Sequence, residues 1–311
     1  VKIGLVTDSL GYLSFDELIE TASQLGIQML EFACGNWSQA PHINLDRLLD
    51  SDSARREFTG KIRDHGLEMS ALNCSGNQLA PGNPGQAHDA VVRKTMKLAS
   101  LIGVKRIVMM SGLPAGPGDT HPNWITVAWP PETKRILDYQ WEEVAIPYWH
   151  NLVRYATHSG IEKICIELHG HQLAYNVPSM LRLREAVGDV VGVNFDPSHM
   201  MWMGGDPLTA IRKLGDAIFH VHAKDTRIDR ENSALSTLLE TQANDRASER
   251  AWNYVTLGYG HGESWWRDFV LLLRQVGYND VLSIEHEDVS MTPLEGVKKT
   301  IAFLQNIIEL D

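Results

Sequence analysis

The feature that most constrains the fold is a junction the chain repeats: an amphipathic stretch, a glycine, then a short apolar run. It appears as "ASQLGIQMLEF", "IRDHGLEMSALN", "ASLIGVKRIVMM", "ATHSGIEKICIEL", "REAVGDVVGVNF", "RKLGDAIFHVHA" and "RQVGYNDVLSIE". A glycine directly after a helix closes it by taking the left-handed conformation. The short β-branched run that follows reads as a parallel strand buried on both faces. Seven such junctions and the opening "KIGLVT" predict eight strands alternating with helices. Eight βα units in 311 residues point to an α/β fold, a closed (β/α)8 TIM barrel forming one domain over residues 1–311. An open doubly wound sheet is the alternative, but it places a glycine-rich phosphate loop after its first strand. "TDSLGYLSFDEL" offers none.

Two units are extended, by "SGLPAGPGDTHPNWITVAWPPETKRILDYQW" after the fourth strand and by "RIDRENSALSTLLETQANDRASERAWNYVTLGYGHGES" after the seventh. Loops at the C-terminal ends of barrel strands carry the active site. Both insertions are therefore expected to roof it, the first with Trp124 and Trp129. Acidic side chains outnumber basic ones by 39 to 28, a formal −11 that repels phosphate backbones and argues against a nucleic-acid partner. Cys34, Cys74 and Cys165 are scattered and odd in number, which suggests free thiols in a reducing compartment. No apolar run approaches the roughly 18 residues of a membrane span, and no charged-then-apolar leader opens the chain. The expected location is cytoplasmic, with no membrane partner.

In a barrel the strand ends must be read together. The fifth strand ends "IELHGHQ", the sixth "VNFDPSHMMW", the seventh "HVHAKDTR" and the eighth "LSIEHED". Each apolar run stops on an ionisable side chain: Glu167, Asp196, His222 and Glu285. From neighbouring strands these converge on the barrel axis. Three carboxylates facing one another without a cation would raise one another's pKa values strongly. A divalent ion removes that cost. An oxygen-rich set with one imidazole suits Mn²⁺ or Mg²⁺, and Zn²⁺ and Co²⁺ are also compatible. Singly, each residue has a plainer reading: Glu167 as a satisfied buried carboxylate, Asp196 as a turn cap, His222 as a hydrogen-bonded core histidine, Glu285 as a rim ion-pair partner. At four consecutive strand ends these readings are harder to sustain together than one shared ion. Lys224 alternates with His222 and either points inward as a substrate-binding cation or pairs with a neighbouring acid.

The fifth-strand glutamate, "DPSH", "HVHAKD" and "SIEHED" together resemble the sugar phosphate isomerase/epimerase superfamily, the xylose-isomerase-like barrels that include ketose 3-epimerases and inosose dehydratases. The likeness runs from the first strand to the last helix and includes "LGYGHGESWWRDFVLLLRQVGYNDVLSIE". The resemblance implies one divalent ion, Mn²⁺ first, held by Glu167, Asp196, His222 and Glu285. It also implies that Glu167 and Glu285 remove and return a proton and that His199 contacts substrate oxygen. Arg227 lies one residue from a substrate-binding arginine of the 3-epimerases. The implied activity is a sugar isomerase or epimerase that abstracts a proton next to a carbonyl of a sugar or keto-sugar, through a metal-stabilised enediolate. The implied assembly is a homo-oligomer. A dehydratase acting on an inosose and a non-catalytic sugar-binding barrel are the other readings. An apurinic-endonuclease reading is opposed by the acidic balance.

The "E-L-H-G" arrangement together with "HPNWITVAWPP" resembles a subgroup that acts on 3-keto-glycosides, including catalytic subunits of C-glycoside deglycosidases. That resemblance implies a lyase in which His169 is the base of a β-elimination, the tryptophans stack on the aglycone, and a small β-rich subunit is the partner. Alternatively, His169 orients Glu167 through a hydrogen bond. His171 lies farther out and is expected to be structural. Asn73, with Asp8, Ser9, Asn36 and Asn77, supplies polar groups at earlier strand ends, and Trp37 and Trp124 supply an apolar platform for a sugar's C–H face. Turn chemistry explains the asparagines nearly as well.

Overall fold

The computed structural model describes residues 1–308 and closes the expected strands into one barrel. In chain order the strands are β1 (Lys2–Val6), β2 (Met29–Ala33), β3 (Glu68–Asn73), β4 (Arg106–Met110), β5 (Lys163–Glu167), β6 (Val191–Phe195), β7 (Ile218–Ala223), β8 (Asp225–Ile228), β9 (Trp252–Val255) and β10 (Val281–Ile284). Around the barrel the order is β1-β10-β7-β6-β5-β4-β3-β2, every pairing parallel. β8 and β9 stand apart as an antiparallel hairpin.

The repeated glycine does what its position predicts. All seven junction glycines, Gly26, Gly66, Gly103, Gly160, Gly188, Gly215 and Gly277, have positive φ. Gly103 is representative: at φ 80° it closes the helix Asn83–Ile102 and its N–H reaches the Ala99 carbonyl. A side chain there would be strained, so the helix stops and the chain turns into β4.

Period-two alternation sorts the strand residues onto two faces. Outward residues such as Ile107, Met109, Ile164, Ile166, Val193, Phe195, Leu282 and Ile284 join the surrounding helices in the main core. Inside the barrel a small plug of Ala71, Val108 and Cys165 is fully buried. Above this plug, toward the strand C-termini, the interior turns polar.

The two insertions differ from simple loops. After β4 the chain runs irregularly to a helix at Pro131–Tyr139, which continues through a π-helical turn at Gln140–Ala145 into Ile146–His158. After β7 a single residue, Lys224, leads directly into the hairpin, with a helix at Arg230–Ser236 and a 3-10 segment at Asn244–Glu249 between its strands. The hairpin covers the barrel mouth: Trp252 stacks on Trp202 with ring centroids 4.7 Å apart. The roofing expected of Trp129 does not occur, because its side chain is 76% exposed. Among the described residues no helix is long and apolar enough to cross a membrane.

Candidate metal centre

β10, β7, β6 and β5 are four consecutive staves of the barrel. Their C-terminal ends bring Glu285, His222, Asp196 and Glu167 together, with one ligand-type atom from each lying within 4.8 Å of all the others. His222 Nδ1 is 3.1 Å from Glu285 Oε2, 3.6 Å from Glu167 Oε2 and 4.0 Å from Asp196 Oδ2. Asp196 serves two ends at once. Its Oδ1 accepts the Ser198 N–H at 2.8 Å and so caps the helix Pro197–Trp202. Its Oδ2 is buried and accepts no well-formed hydrogen bond. His199 Nε2 lies 3.2 Å from that oxygen but is directed at Glu167 Oε1, 2.9 Å away. An orphaned carboxylate oxygen among two further carboxylates and an imidazole nitrogen is a donor set that fits a hard divalent cation.

Behind His222 lies a residue that sequence reasoning missed. Glu31, in the middle of β2, is fully buried inside the barrel. His222 Nε2–H donates to its carboxylate at 3.1 Å, which turns Nδ1 toward the cluster. Glu31 also accepts from His220 Nε2 at 2.6 Å, Ser283 Oγ at 3.1 Å and Asn73 Nδ2 at 2.8 Å. His220 Nδ1 in turn accepts from Arg106 at 3.2 Å, and Arg106 is ion-paired with Asp280. Burial would push the Glu31 carboxyl up, but His222 and His220 outweigh it and hold it well below its ordinary value. Conversely, burial would keep His222 neutral, and the Glu31 and Glu285 carboxylates lift it well above the usual imidazole range. A buried proton here occupies the place of positive charge that a metal would supply. The substrate role expected of Asn73 is corrected: its amide is spent on Glu31 and its Oδ1 on the Ser75 N–H at 2.9 Å. The signal for Glu31 was in plain view as a carboxylate inside the apolar "MLEFA".

On the outward side of the cluster, His199 bridges to the hairpin, with its Nδ1 2.8 Å from the Tyr254 hydroxyl. Burial opposes charge on His199, but Asp196 outweighs it and raises the imidazole to about 9. Lys224 points inward and pairs with acids as well: its Nζ lies 3.0 Å from Glu285, 3.6 Å from Asp196 and 2.7 Å from Glu287, over the Tyr254 ring. His169 does not hydrogen-bond Glu167; that place is taken by His199. Instead its Nδ1–H donates to the Gly170 carbonyl, its ring lies 4.0 Å from that of His199, and its Nε2 has no hydrogen-bond partner among the described residues. Burial, with the charge on His199, lowers His169 to about 3. Gly170 is required beside it, because a Cβ there would collide with the Trp202 indole.

Three expected substrate residues stand away from the cluster. Arg227 is exposed on β8, Trp37 is half-exposed, and Trp124 packs edge-on against Tyr175 at 5.3 Å. These placements correct their expected roles: a flank of β8 faces solvent at Arg227, and the Trp124 ring is occupied by protein. His171 takes a left-handed backbone, at φ 61°, beside Trp124. Asn36 and Asn77 donate to the Cys74 and Leu113 carbonyls, as turn residues do.

Beside the cluster opens a recess of about 430 Å³ bordered by His169, Tyr254, Asn253, Asn244, Glu287 and Arg250 among others; none of the four convergent ligand-type residues lines it.

Comparison with known proteins is consistent with this architecture. Residues 19–307 match the family model described as xylose isomerase-like TIM barrel. The chain is 50% identical over 311 residues to "Uncharacterized protein YfiH" of Bacillus subtilis (strain 168), with 99% of each covered. Among solved structures, it is similar to the apo form of 3-keto-D-glucoside 4-epimerase, YcjR, from E. coli, with TM-score 0.68, 16% identity and coverage of 98% and 99%. It is also similar to the IOLI protein with a bound zinc atom, with TM-score 0.66, 17% identity and coverage of 99% and 98%.

Proposed function

Because the chain belongs to the xylose isomerase-like TIM barrel family, with a buried site of three carboxylates and an imidazole at its mouth, we propose that it is a divalent-metal-dependent isomerase or epimerase of a sugar or keto-sugar. The observation that carries this reading is the unpartnered Asp196 Oδ2, aimed among Glu167, His222 and Glu285. A divalent ion held by these four residues, Mn²⁺ in this reading, would polarise a sugar carbonyl and acidify the neighbouring C–H.

The remaining work falls to the chain's own groups. Glu167 and Glu285 come from the two outer staves of the four, so they flank a substrate seated over the centre. Two carboxylates on opposite flanks can take a proton from one face of a carbon and return one to the other. Glu167 is fixed by Asn194 at 3.0 Å and His199 at 2.9 Å, whereas the Glu285 side chain is 20% exposed and is the more open to substrate. Lys224 stands beside Glu285 and places a positive charge where an oxyanion would develop. The hairpin and Trp202 cover the mouth and limit access of water.

The similarity to a 3-keto-glucoside epimerase makes a keto-glucoside a reasonable first substrate class to test. A second reading, elimination with His169 as base, draws on the unpartnered Nε2 of that residue next to the recess. The test is incubation of Mn²⁺-loaded protein in D₂O with ketoses, inososes and 3-keto-glucosides. Deuterium should enter at one carbon next to the carbonyl. Absence of exchange in every compound, with the metal shown to be bound, would overturn the proposal.

A further inference from the structure

We propose that the recess beside His169 is a second subsite, which receives an uncharged, hydroxyl-bearing substituent attached to the reacting sugar. The substrate is then a glycoside of a second polyol or sugar rather than a free monosaccharide. This rests on the proton-abstraction reading above, and it adds what lies beyond the reacting carbon.

The first argument is position. The recess shares a wall with the metal centre through His169 and Tyr254, yet none of the four convergent residues borders it. A substrate seated over the cluster therefore leaves this space for a further part of the same molecule. At about 430 Å³ it falls in the range of ligand pockets rather than of single-water voids.

The second argument is the chemistry of the wall once internal bonds are subtracted. Arg250 is spent: its Nε donates to the Trp252 carbonyl at 3.1 Å, its Nη1 to the Gln242 carbonyl, and its guanidinium lies over the Trp252 ring. Asp288 is likewise spent on Thr256 and Ser290. What remains to face a ligand is the Asn244 side chain, the Asn253 Oδ1, the Glu287 carboxylate and the His169 Nε2. The Asn253 Nδ2 is already committed to the Ala247 carbonyl at 2.9 Å. These free groups are mainly acceptors, which match hydroxyl donors. A flat aromatic group would leave them desolvated and unpaired. An anionic group such as phosphate would meet Glu287 with no uncommitted cation on the wall.

The third argument is who supplies the wall. Asn244, Asn253 and Tyr254 all come from the hairpin excursion, which also reaches His199 through the Tyr254 hydroxyl. The excursion thus couples the recess to the reacting centre.

Calorimetric titration of Mn²⁺-loaded protein tests this without depending on turnover. The probes are a 3-keto-hexose, a disaccharide containing that 3-keto-hexose, its aryl glycoside and its phosphorylated form. The disaccharide should bind about tenfold more tightly than the monosaccharide, the gain expected of one or two hydrogen bonds. Asn244→Ala, which removes no internal side-chain bond, should bring that ratio to within about twofold of one, and Asn253→Ala should do the same. Equal affinity for mono- and disaccharide in the parent protein would overturn the proposal. So would an aryl or phosphorylated ligand binding as tightly as the disaccharide, or a ratio untouched in both folded variants. Selective binding without any deuterium exchange would remove the catalytic reading and leave the subsite standing; exchange without selectivity would do the reverse.

Discussion

The His222 imidazole donates from Nε2 to the buried Glu31 carboxylate at 3.1 Å while its Nδ1 faces Glu285 at the same distance. The bond fixes which nitrogen is available to a cation. A carboxylate behind a ligating histidine fixes its tautomer and raises its basicity. Glu31 is in turn anchored by His220, Ser283 and Asn73, so the orientation of one ligand depends on four strands, β2, β3, β7 and β10.

Glu31→Gln tests that dependence. It keeps the shape of the side chain but removes the charge that selects the tautomer. Mn²⁺ affinity should fall by about 10–100-fold, read by metal titration, while the fold is retained. Unchanged affinity would show that His222 is oriented by packing alone.

Metal affinity should rise with pH across neutrality. In the metal-free protein His222 is held well above the ordinary imidazole value, so it carries a proton that a cation must displace. One displaced proton gives about a tenfold gain in apparent affinity per pH unit below the folded pKa, and the gain ends above it. Calorimetry in buffers of different ionisation enthalpy should register a proton released on binding. No release would mean that His222 is already neutral.

Loading the centre should stabilise the fold. Binding to the folded state alone contributes about 2.7 kcal/mol at a free metal concentration 100 times the Kd. Scanning calorimetry should show a higher Tm with Mn²⁺ and its loss with a chelator. A Tm insensitive to both would argue against a specific site.

Glu285→Gln and His169→Ala separate the two candidate bases. The first should lower exchange by about 10²- to 10⁴-fold, the usual contribution of a positioned general base. The second should leave exchange within about tenfold of the parent if the glutamates do the proton transfer. Complete loss in His169→Ala, with metal still bound, would transfer the role to the histidine.

Gly170→Ala should destabilise by about 1–3 kcal/mol, because the added methyl overlaps the Trp202 ring and the stacked Trp252 prevents its retreat. A neutral result in denaturant unfolding would mean that the indole pair moves as a unit.

The fold was legible because its signals are local. Each junction joins a helix end, a glycine and a strand within about a dozen residues, and Gly26 through Gly277 all take the backbone that role needs. The strand-end carboxylates were legible for a related reason: closure of the barrel brings consecutive ends together, so Glu167, Asp196, His222 and Glu285 could be gathered without knowing a distance. Glu31 escaped because it lies inside β2 rather than at its end, and only the three-dimensional pairing with His220 and His222 shows its use. Tyr254 escaped because it reaches His199 from 55 residues away, across a hairpin that no periodicity announces. Asn73 and Arg227 were misassigned for opposite reasons. The first is drawn inward by a buried carboxylate, and the second is turned to solvent by the alternation of β8.

Only Lys224 separates the end of β7 from the start of β8. The stave that contributes His222 is thus the root of the excursion that carries Asn244, Asn253 and Tyr254. Such an arrangement is modular: the stretch beyond Asp225 can be exchanged for another of different length and polarity while the reactive centre keeps its setting. Diversification among descendants of this scaffold should then concentrate in that graft, with new preferences arising by transplanting one ribbon rather than by rebuilding the cylinder.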